Sequence, residues 1–488
     1  MSDLGALAAA AAGLTGAAVL RPRPGRARPS WTRGGPGPGA RWARPGDLAV
    51  LAGDGRGRVR LGALGRGRRL LSTEPVQSVA VVGPTQSGKT TAIAIPAILG
   101  WDGPVLAASV KADLLSATEA WRRRLGRVWC FDPAGASGRA GDPWSPLPAA
   151  RSWPGARRVA SDLTEVARSA ATSADGEFWY ATAAKLLAPL LFAAASGGRT
   201  IGDVVRWVDT QEVAEVFELL ERAGVDEAIW SARASWQRDE RQRSSVYTTA
   251  ETVLEPLAAS IGAPGDGIDP EALVAGRDTL YLCAPAHDQR RLRGVFVALV
   301  KQVLEAAFAR AARFGPLDPP LLVVLDEAAN IAPVAELDAL AATCAGHGIA
   351  LVTVWQDLAQ LQARYGARAP TVLNNHRARL FLTGIAEPGT LELVSLLVGE
   401  TEALTGSETA DARGGRSVTF SGQRRRLLAP EAVRQLPGSA AVLVYGTRPP
   451  ARLRLVPWWE DRVLALRGSG ARGIGTPPGR PGGQRGAG

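Results

Sequence analysis

Residues Val79-Ala80-Val81-Val82-Gly83-Pro84-Thr85-Gln86-Ser87-Gly88-Lys89-Thr90-Thr91 run from an apolar strand through a glycine loop into an Ala/Ile-rich helical stretch. That is G-x-x-x-x-G-K-T in the strand–loop–helix setting that a phosphate-binding loop requires. The glycines free the loop backbone so that successive N–H groups turn toward phosphate oxygens. The helix N-terminus adds orphan donors and a partial positive charge at the same place. Lys89 is positioned to reach the terminal phosphates of ATP, and the Thr90 hydroxyl to sit on Mg²⁺. The chain holds only four lysines among 57 basic residues, so a lysine in this slot is a selective feature. The predicted nucleotide contacts are Gly83, Thr85, Gln86, Ser87, Gly88, Lys89, Thr90 and Thr91.

A second apolar run, Leu321-Leu322-Val323-Val324-Leu325, ends in Asp326 and Glu327. A buried strand of this kind delivers its terminal Asp to the Mg²⁺ shell, so Thr90 and Asp326 are the predicted metal ligands. The adjacent Glu327 is the carboxylate that can orient and deprotonate an attacking water. A third run, Ile349–Trp355, ends in Gln356. A polar residue at that strand tip can sense the γ-phosphate or hold the lytic water, since ligands collect at the carboxyl ends of parallel strands. Lys89, Glu327 and Gln356 are therefore the predicted catalytic residues. In Ser109-Val110-Lys111-Ala112-Asp113, Lys111 is the candidate for a nucleotide or subunit contact.

The rest of the chain bounds the fold. Its apolar content of 46% and charged content of 21% are globular values. Three dispersed cysteines exclude a disulfide framework, and three histidines offer no zinc-ligand spacing. Residues 21–70 carry 13 arginines against two aspartates, a surplus equal to the net charge of +11. The excess thus sits on an end of the chain rather than on the body, unlike a compact DNA-reading domain. Residues 4–20 are uncharged and would span about 25 Å as a helix, near the lower limit for a bilayer.

Short apolar runs alternate with helical patterns, which predicts an α/β fold with a mainly parallel sheet. The strands are read at Val79–Val82, Val105–Ala108, Arg127–Phe131, Thr279–Cys283, Leu321–Leu325, Ile349–Trp355 and Arg379–Thr383. The organisation is expected to be a possible membrane anchor (1–20), a basic Pro/Gly/Arg linker (21–46) and the first part of a nucleotide-binding domain (47–147). An inserted all-α domain (148–270), the second part of the nucleotide-binding domain (271–466) and a disordered basic tail (467–488) follow.

Beyond these motifs the chain resembles the type IV secretion coupling ATPases of bacterial conjugation, the TraG/TraD class. The resemblance rests on WARPGDL (42–48), VVGPTQSGKTT (81–91), SVKADL (109–114), VWCFDP (128–133), TLYLCAP (279–285), LDEAANIAPVAELDAL (325–340), GIALVTVWQDLAQLQARYG (348–366) and LVPWW (455–459). It implies a RecA-like P-loop NTPase fold with an inserted all-α domain, a marginal N-terminal membrane helix and a homo-hexameric ring at the cytoplasmic membrane, its body facing the cytoplasm. It further implies ATP hydrolysis that moves a relaxase-bound DNA strand, sequence-independently, toward type IV secretion channel proteins.

Some family members also carry an arginine in the loop before the glutamine strand. Here that loop reads Cys344-Ala345-Gly346-His347-Gly348, which leaves Arg377 and Arg379 as candidates for the contact to a neighbouring ATP. Candidates for DNA contact are Arg290, Arg291 and Arg293, Arg424–Arg426, and Arg238, Arg241 and Arg243. Two other functions fit the same motifs: a double-stranded-DNA pump resembling FtsK or HerA, and an ATP-binding adaptor that recruits relaxase and hydrolyses poorly.

Overall fold

The four residues Val79–Val82 are buried on both sides, and this burial explains their unbroken apolar run. A strand covered on one face alternates; one covered on two does not. Alternate side chains go to opposite cores. Ala80 and Val82 join one with Leu106, Phe131, Val323 and Trp355, while Val79 and Val81 join the other with Val105, Val324 and Val352.

The computed structural model describes residues 39–65, 69–169, 174–258, 267–410 and 416–468. The strands are β1 (Arg60–Leu64), β2 (Arg69–Ser72), β3 (Val79–Val82), β4 (Val105–Ser109), β5 (Val128–Phe131), β6 (Thr279–Cys283), β7 (Leu321–Leu325), β8 (Ile349–Trp355), β9 (Ala378–Leu382), β10 (Glu400–Ala410), β11 (Arg416–Arg426), β12 (Ala440–Tyr445) and β13 (Ala451–Arg454). Eleven form one sheet in the order β2-β1-β13-β12-β9-β3-β8-β7-β4-β6-β5. From β9 to β5 every pairing is parallel. From β9 outward through β12, β13, β1 and β2 the pairing is antiparallel. The seven strands read from the sequence are the seven parallel ones. The antiparallel flank and the separate hairpin of β10 with β11 were not anticipated.

Between β5 and β6 the chain is helical: α1 (Trp153–Ser169), α2 (Ala174–Ser196), α3 (Ile201–Asp209), α4 (Ala214–Ala223), α5 (Asp226–Trp236), α6 (Glu240–Ala258) and α7 (Pro270–Ala275). The longer α8 (Gln289–Phe314) follows β6 and packs on both α1 and the sheet face, so one continuous apolar cluster runs from these helices into the strands. Within α2, residues Gly176–Ser196 are long and apolar enough to cross a membrane, but 61% of their apolar 18-residue window is buried inside the protein. The helix read at residues 4–20 and most of the basic tail lie outside the described residues.

The larger compact unit begins at Ala40, inside the stretch read as linker. Trp42 packs against the core beneath the Arg452 guanidinium, 4.3 Å from the ring centroid, and Arg41 pairs with Asp47 at 2.7 Å. These aromatic and ionic contacts hold residues that composition alone assigns to a solvated linker.

Arg122 lies fully buried behind the parallel strands. It donates to the carbonyls of Trp101 (2.7 Å), Gly103 (2.6 Å) and Arg277 (2.9 Å) and to the Thr279 hydroxyl (2.7 Å). Burial pushes its pKa down to about 10, so it remains charged at neutral pH. Arg122→Ala leaves these buried acceptors unmet and is expected to lower stability by about 3 kcal/mol, read as an earlier midpoint in urea unfolding.

Candidate active site

The sheet order puts β8 between β3 and β7, so the glycine loop and the Asp326-Glu327 pair stand one strand apart at the same carboxyl edge. Backbone bonds tie the strand tips together: Gly83 N–H donates to Trp355 O at 3.0 Å, Ala328 N–H to Val354 O at 3.2 Å, and Asp326 N–H to Ala108 O at 2.9 Å. Gln356 leaves β8 between the other two tips, half-buried, its N–H held by Gln360 Oε1 at 3.0 Å.

The loop itself needs its glycines. A Cβ on Gly83 would lie 2.8 Å from Leu382 Cβ, and Gly88 takes φ +91°, a region that side chains disfavour. Ser87 is buried and donates to Pro84 O at 2.8 Å, whereas Thr85 and Gln86 are exposed on the outside of the turn. Lys89 is nearly buried, and its Nζ donates to Gly83 O and Pro84 O at 2.5 Å each. Burial lowers its pKa, while Asp326 and Glu327 oppose that shift. Thr90 and Thr91 begin the helix, with the Thr91 hydroxyl directed at Gly88 O at 3.5 Å.

The Thr90 hydroxyl donates to Asp326 Oδ2 at 3.0 Å, joining the two predicted metal ligands across β8. Ser109 lies behind them, 3.5 Å from Asp326 Oδ2 and 3.4 Å from Asp113 Oδ1. Hydroxyl and carboxylate oxygens gathered beside a loop that a Cβ would fill suit Mg²⁺ and a nucleotide phosphate chain. Among the described residues nothing gathers three His, Cys, Asp or Glu side chains as a metal cluster.

Glu327 is half-buried with φ +64°, an uncommon conformation for a side chain other than glycine. Asn330 Nδ2 donates to its Oε2 at 3.3 Å. On the sheet face below Gln356, Trp355 Nε1–H donates to Thr353 Oγ1 at 2.9 Å. Thr353 in turn meets His376 Nε2 at 3.0 Å, and His376 Nδ1 meets Val372 O at 2.7 Å. A carbonyl only accepts, so the His376 proton sits on Nδ1. Burial drives this imidazole down to about 4, keeping it neutral.

Lys111 is exposed and only its backbone N–H reaches Ser109 Oγ; Ser109 and Asp113 of that segment enter the site instead. Their spacing of four residues at a strand end was the available signal. Arg377 and Arg379 stand at the amino end of β9, away from the loop at the carboxyl end of β3. Arg377 lies against Tyr445, 5.6 Å from its ring centroid. Among the DNA candidates, Arg291 pairs with Glu255 at 2.7 Å and Arg426 with Glu392 at 2.6 Å, while Arg243 donates to Trp236 O at 3.3 Å.

The family model described as Type IV secretory system Conjugative DNA transfer matches residues 43–474. The chain belongs to that family. Among curated relatives of this coupling-protein family, it is 27% identical over 402 residues to Conjugal transfer protein TraG of Escherichia coli, covering 74% of this chain and 62% of that one. It is 25% identical over 423 residues to Protein VirD4 of Rhizobium radiobacter, covering 83% and 60%. The match therefore spans about three-fifths of these relatives' own length. Among solved structures, the conjugative coupling protein TrwBΔN70 superposes with a TM-score of 0.65 at 20% identity, covering 86% of this chain and 92% of that one. TrwB in complex with ADP and Mg²⁺ gives 0.63 at 20%, covering 86% and 94%. These likenesses establish the P-loop NTPase fold.

Burial, followed by the nearby charges of Asp113 and Glu327, raises Asp326 from its ordinary 3.8 to about 6, against the Thr90 hydrogen bond. Between these values the folded coupling protein holds a proton that the unfolded chain has released. Stability therefore falls as pH rises through that window, and the loss is complete above about pH 6. In Mg²⁺-free buffer Asp326→Asn is expected to gain on the order of 2 kcal/mol near pH 7.5 and little near pH 4, measured by urea unfolding at both pH values.

Proposed function

We propose that this chain is an ATP-hydrolysing motor that moves a relaxase-bound DNA strand toward a type IV secretion channel. The observation that carries this reading is the 3.0 Å bond from Thr90 to Asp326, with Glu327 as the next residue. A nucleotide-binding protein without turnover has no use for a second carboxylate at that position, whereas a hydrolase needs one beside the metal ligand.

In this mechanism the N–H groups of Thr85–Thr91 and the Lys89 ammonium hold the phosphate chain. Thr90 and Asp326 hold Mg²⁺, which when bound offsets charge on the β- and γ-phosphates. Glu327 aligns a water and accepts its proton as the water oxygen bonds to the γ-phosphorus and the bond to the ADP oxygen breaks. Gln356, at the tip of the strand between the two halves, orients the water or the γ-phosphate. Ser109 and Asp113 position Asp326 from behind.

In this reading the nucleotide-binding domain comprises residues 47–147 and 271–466, enclosing an all-α domain at 148–270. Six copies form a ring, anchored at the cytoplasmic membrane through residues 4–20. DNA is gripped by its phosphates without base readout. Relaxase and channel proteins are the partners. The family assignment and the agreement of the site with ATP chemistry support these proposals.

The test is the ATPase rate of the full chain with and without a single-stranded oligonucleotide, beside Glu327→Gln. The expected outcome is a DNA-stimulated rate that the variant reduces by at least about 100-fold while still binding nucleotide. Equal rates for the two proteins would overturn the motor and leave an ATP-binding adaptor.

A further inference from the structure

Glu327 is held at both ends of a short turn. Its carbonyl accepts the N–H groups of Asn330 (2.9 Å) and Ile331 (3.2 Å), and its carboxylate accepts Asn330 Nδ2 at 3.3 Å. A carboxylate so engaged is turned toward its own loop, in a residue whose backbone already occupies the left-handed region at φ +64°. Such strain is retained where the surroundings enforce it, and it is stored where a segment has a second conformation to adopt.

What enforces it here is an arginine. Arg293, one turn into α8, donates Nε–H to Asn330 O at 2.7 Å. Arg364, from the helix Leu358–Tyr365 after β8, donates Nη2–H to Pro333 O at 3.0 Å, three residues further along the same turn. Both guanidinium groups are half-buried, and Arg290 is exposed beside them. Burial, then repulsion from Arg364 and Arg290, holds the Arg293 pKa below the ordinary arginine value. Among the described residues none of the three pairs with a carboxylate, in contrast to their neighbour Arg291, which has both Glu255 and Asp288. Two like charges, Arg293 and Arg364, converge on the loop that carries Glu327, with Arg290 close enough to repel Arg293; among the described residues the partners of Arg293 and Arg364 there are main-chain carbonyls.

We propose that Arg290, Arg293 and Arg364 form a binding site for a DNA phosphodiester, and that its occupation releases Glu327 through Asn330. This rests on the motor reading above. A phosphate between the three guanidinium groups is a stronger acceptor than the Asn330 carbonyl, because a charge-assisted bond is about twice as strong as one to a neutral acceptor. Arg293 then leaves Asn330, the turn relaxes, and the Asn330 amide lets go of the Glu327 carboxylate, which is freed to face the water. Asn330 is thus a positioning residue, and the arginine cluster joins the DNA track to the hydrolytic step. Sequence-independent stimulation follows, since only phosphate is read.

The experiment uses the full chain with a single-stranded oligothymidylate. It measures ATPase rate, oligonucleotide affinity by fluorescence anisotropy, and affinity for a fluorescent ATP analogue. Asn330→Ala is expected to raise the DNA-free kcat about fivefold, the effect of releasing one hydrogen bond of ordinary strength, with unchanged nucleotide affinity and a smaller DNA stimulation. Arg293→Ala is expected to raise the DNA-free rate likewise and to weaken oligonucleotide binding. Arg290→Ala is expected to weaken that binding by about fivefold at low salt. An unaltered DNA-free rate and DNA stimulation in Asn330→Ala, with nucleotide affinity intact, would overturn the coupling. Unchanged oligonucleotide affinity with a lowered rate in Arg290→Ala would assign the phosphate to a neighbouring subunit's nucleotide and overturn the DNA site. Failure of the motor reading itself has a separate signature, a rate that survives Glu327→Gln.

Discussion

A hydroxyl and a carboxylate from residues more than 200 positions apart meet at 3.0 Å because one strand, and only one, stands between them. Thr90 comes off the end of β3 and Asp326 off the end of β7, with β8 as the spacer. If the sheet placed β3 beside β7 directly, Gln356 would have no place between the phosphate loop and the two carboxylates. The parallel pairing from β9 to β5 sets all these tips at one edge, and the backbone bonds of Gly83, Asp326 and Ala328 to neighbouring strands hold them in line. The site is a property of strand order before it is a property of side chains.

Electrostatics then acts on this frame. Asp326 is buried among other acidic groups and carries a raised pKa, with Lys89 and the Thr90 hydroxyl as the compensating neighbours. The tension is what a divalent cation relieves, so it belongs with the proposed chemistry. Charge is arranged differently a few residues away. There Arg293 and Arg364 grip main-chain carbonyls of the Glu327–Pro333 turn with no carboxylate partner among the described residues. Acidic groups thus stand beside a basic pair on one loop, and Asn330 touches both, donating to Glu327 and accepting from Arg293.

The parallel strands were legible because burial on both faces leaves nothing but apolar residues in them; Val79–Val82, Leu321–Leu325 and Ile349–Trp355 were read within a residue of their ends. The antiparallel flank was less legible. Strand β1 is RLGAL and β13 is ARLR, short and broken by arginine and glycine, and each is extended only because a neighbour supplies its hydrogen bonds. The run Ala440–Tyr445 did carry a strand signal of the same apolar kind. In residues 40–46 the proline, glycine and arginine content says nothing of the Arg452 guanidinium that lies over Trp42.

By itself the sequence determined the phosphate loop and the paired carboxylates, because each depends on residues adjacent in the chain, while the α/β class and the coupling-protein resemblance followed from the order of short local motifs along it. Lys89 and Thr90, or Asp326 and Glu327, are fixed in spacing by covalent geometry. Only the tertiary structure decided that Ser109 and Asp113, not Lys111, enter the site. Only it brought Arg293 from α8 to Asn330 in the loop after β7. A hydrogen bond is set by distance and direction in space. Across 37 residues of chain that distance depends on how helices pack on a sheet, which no local spacing records.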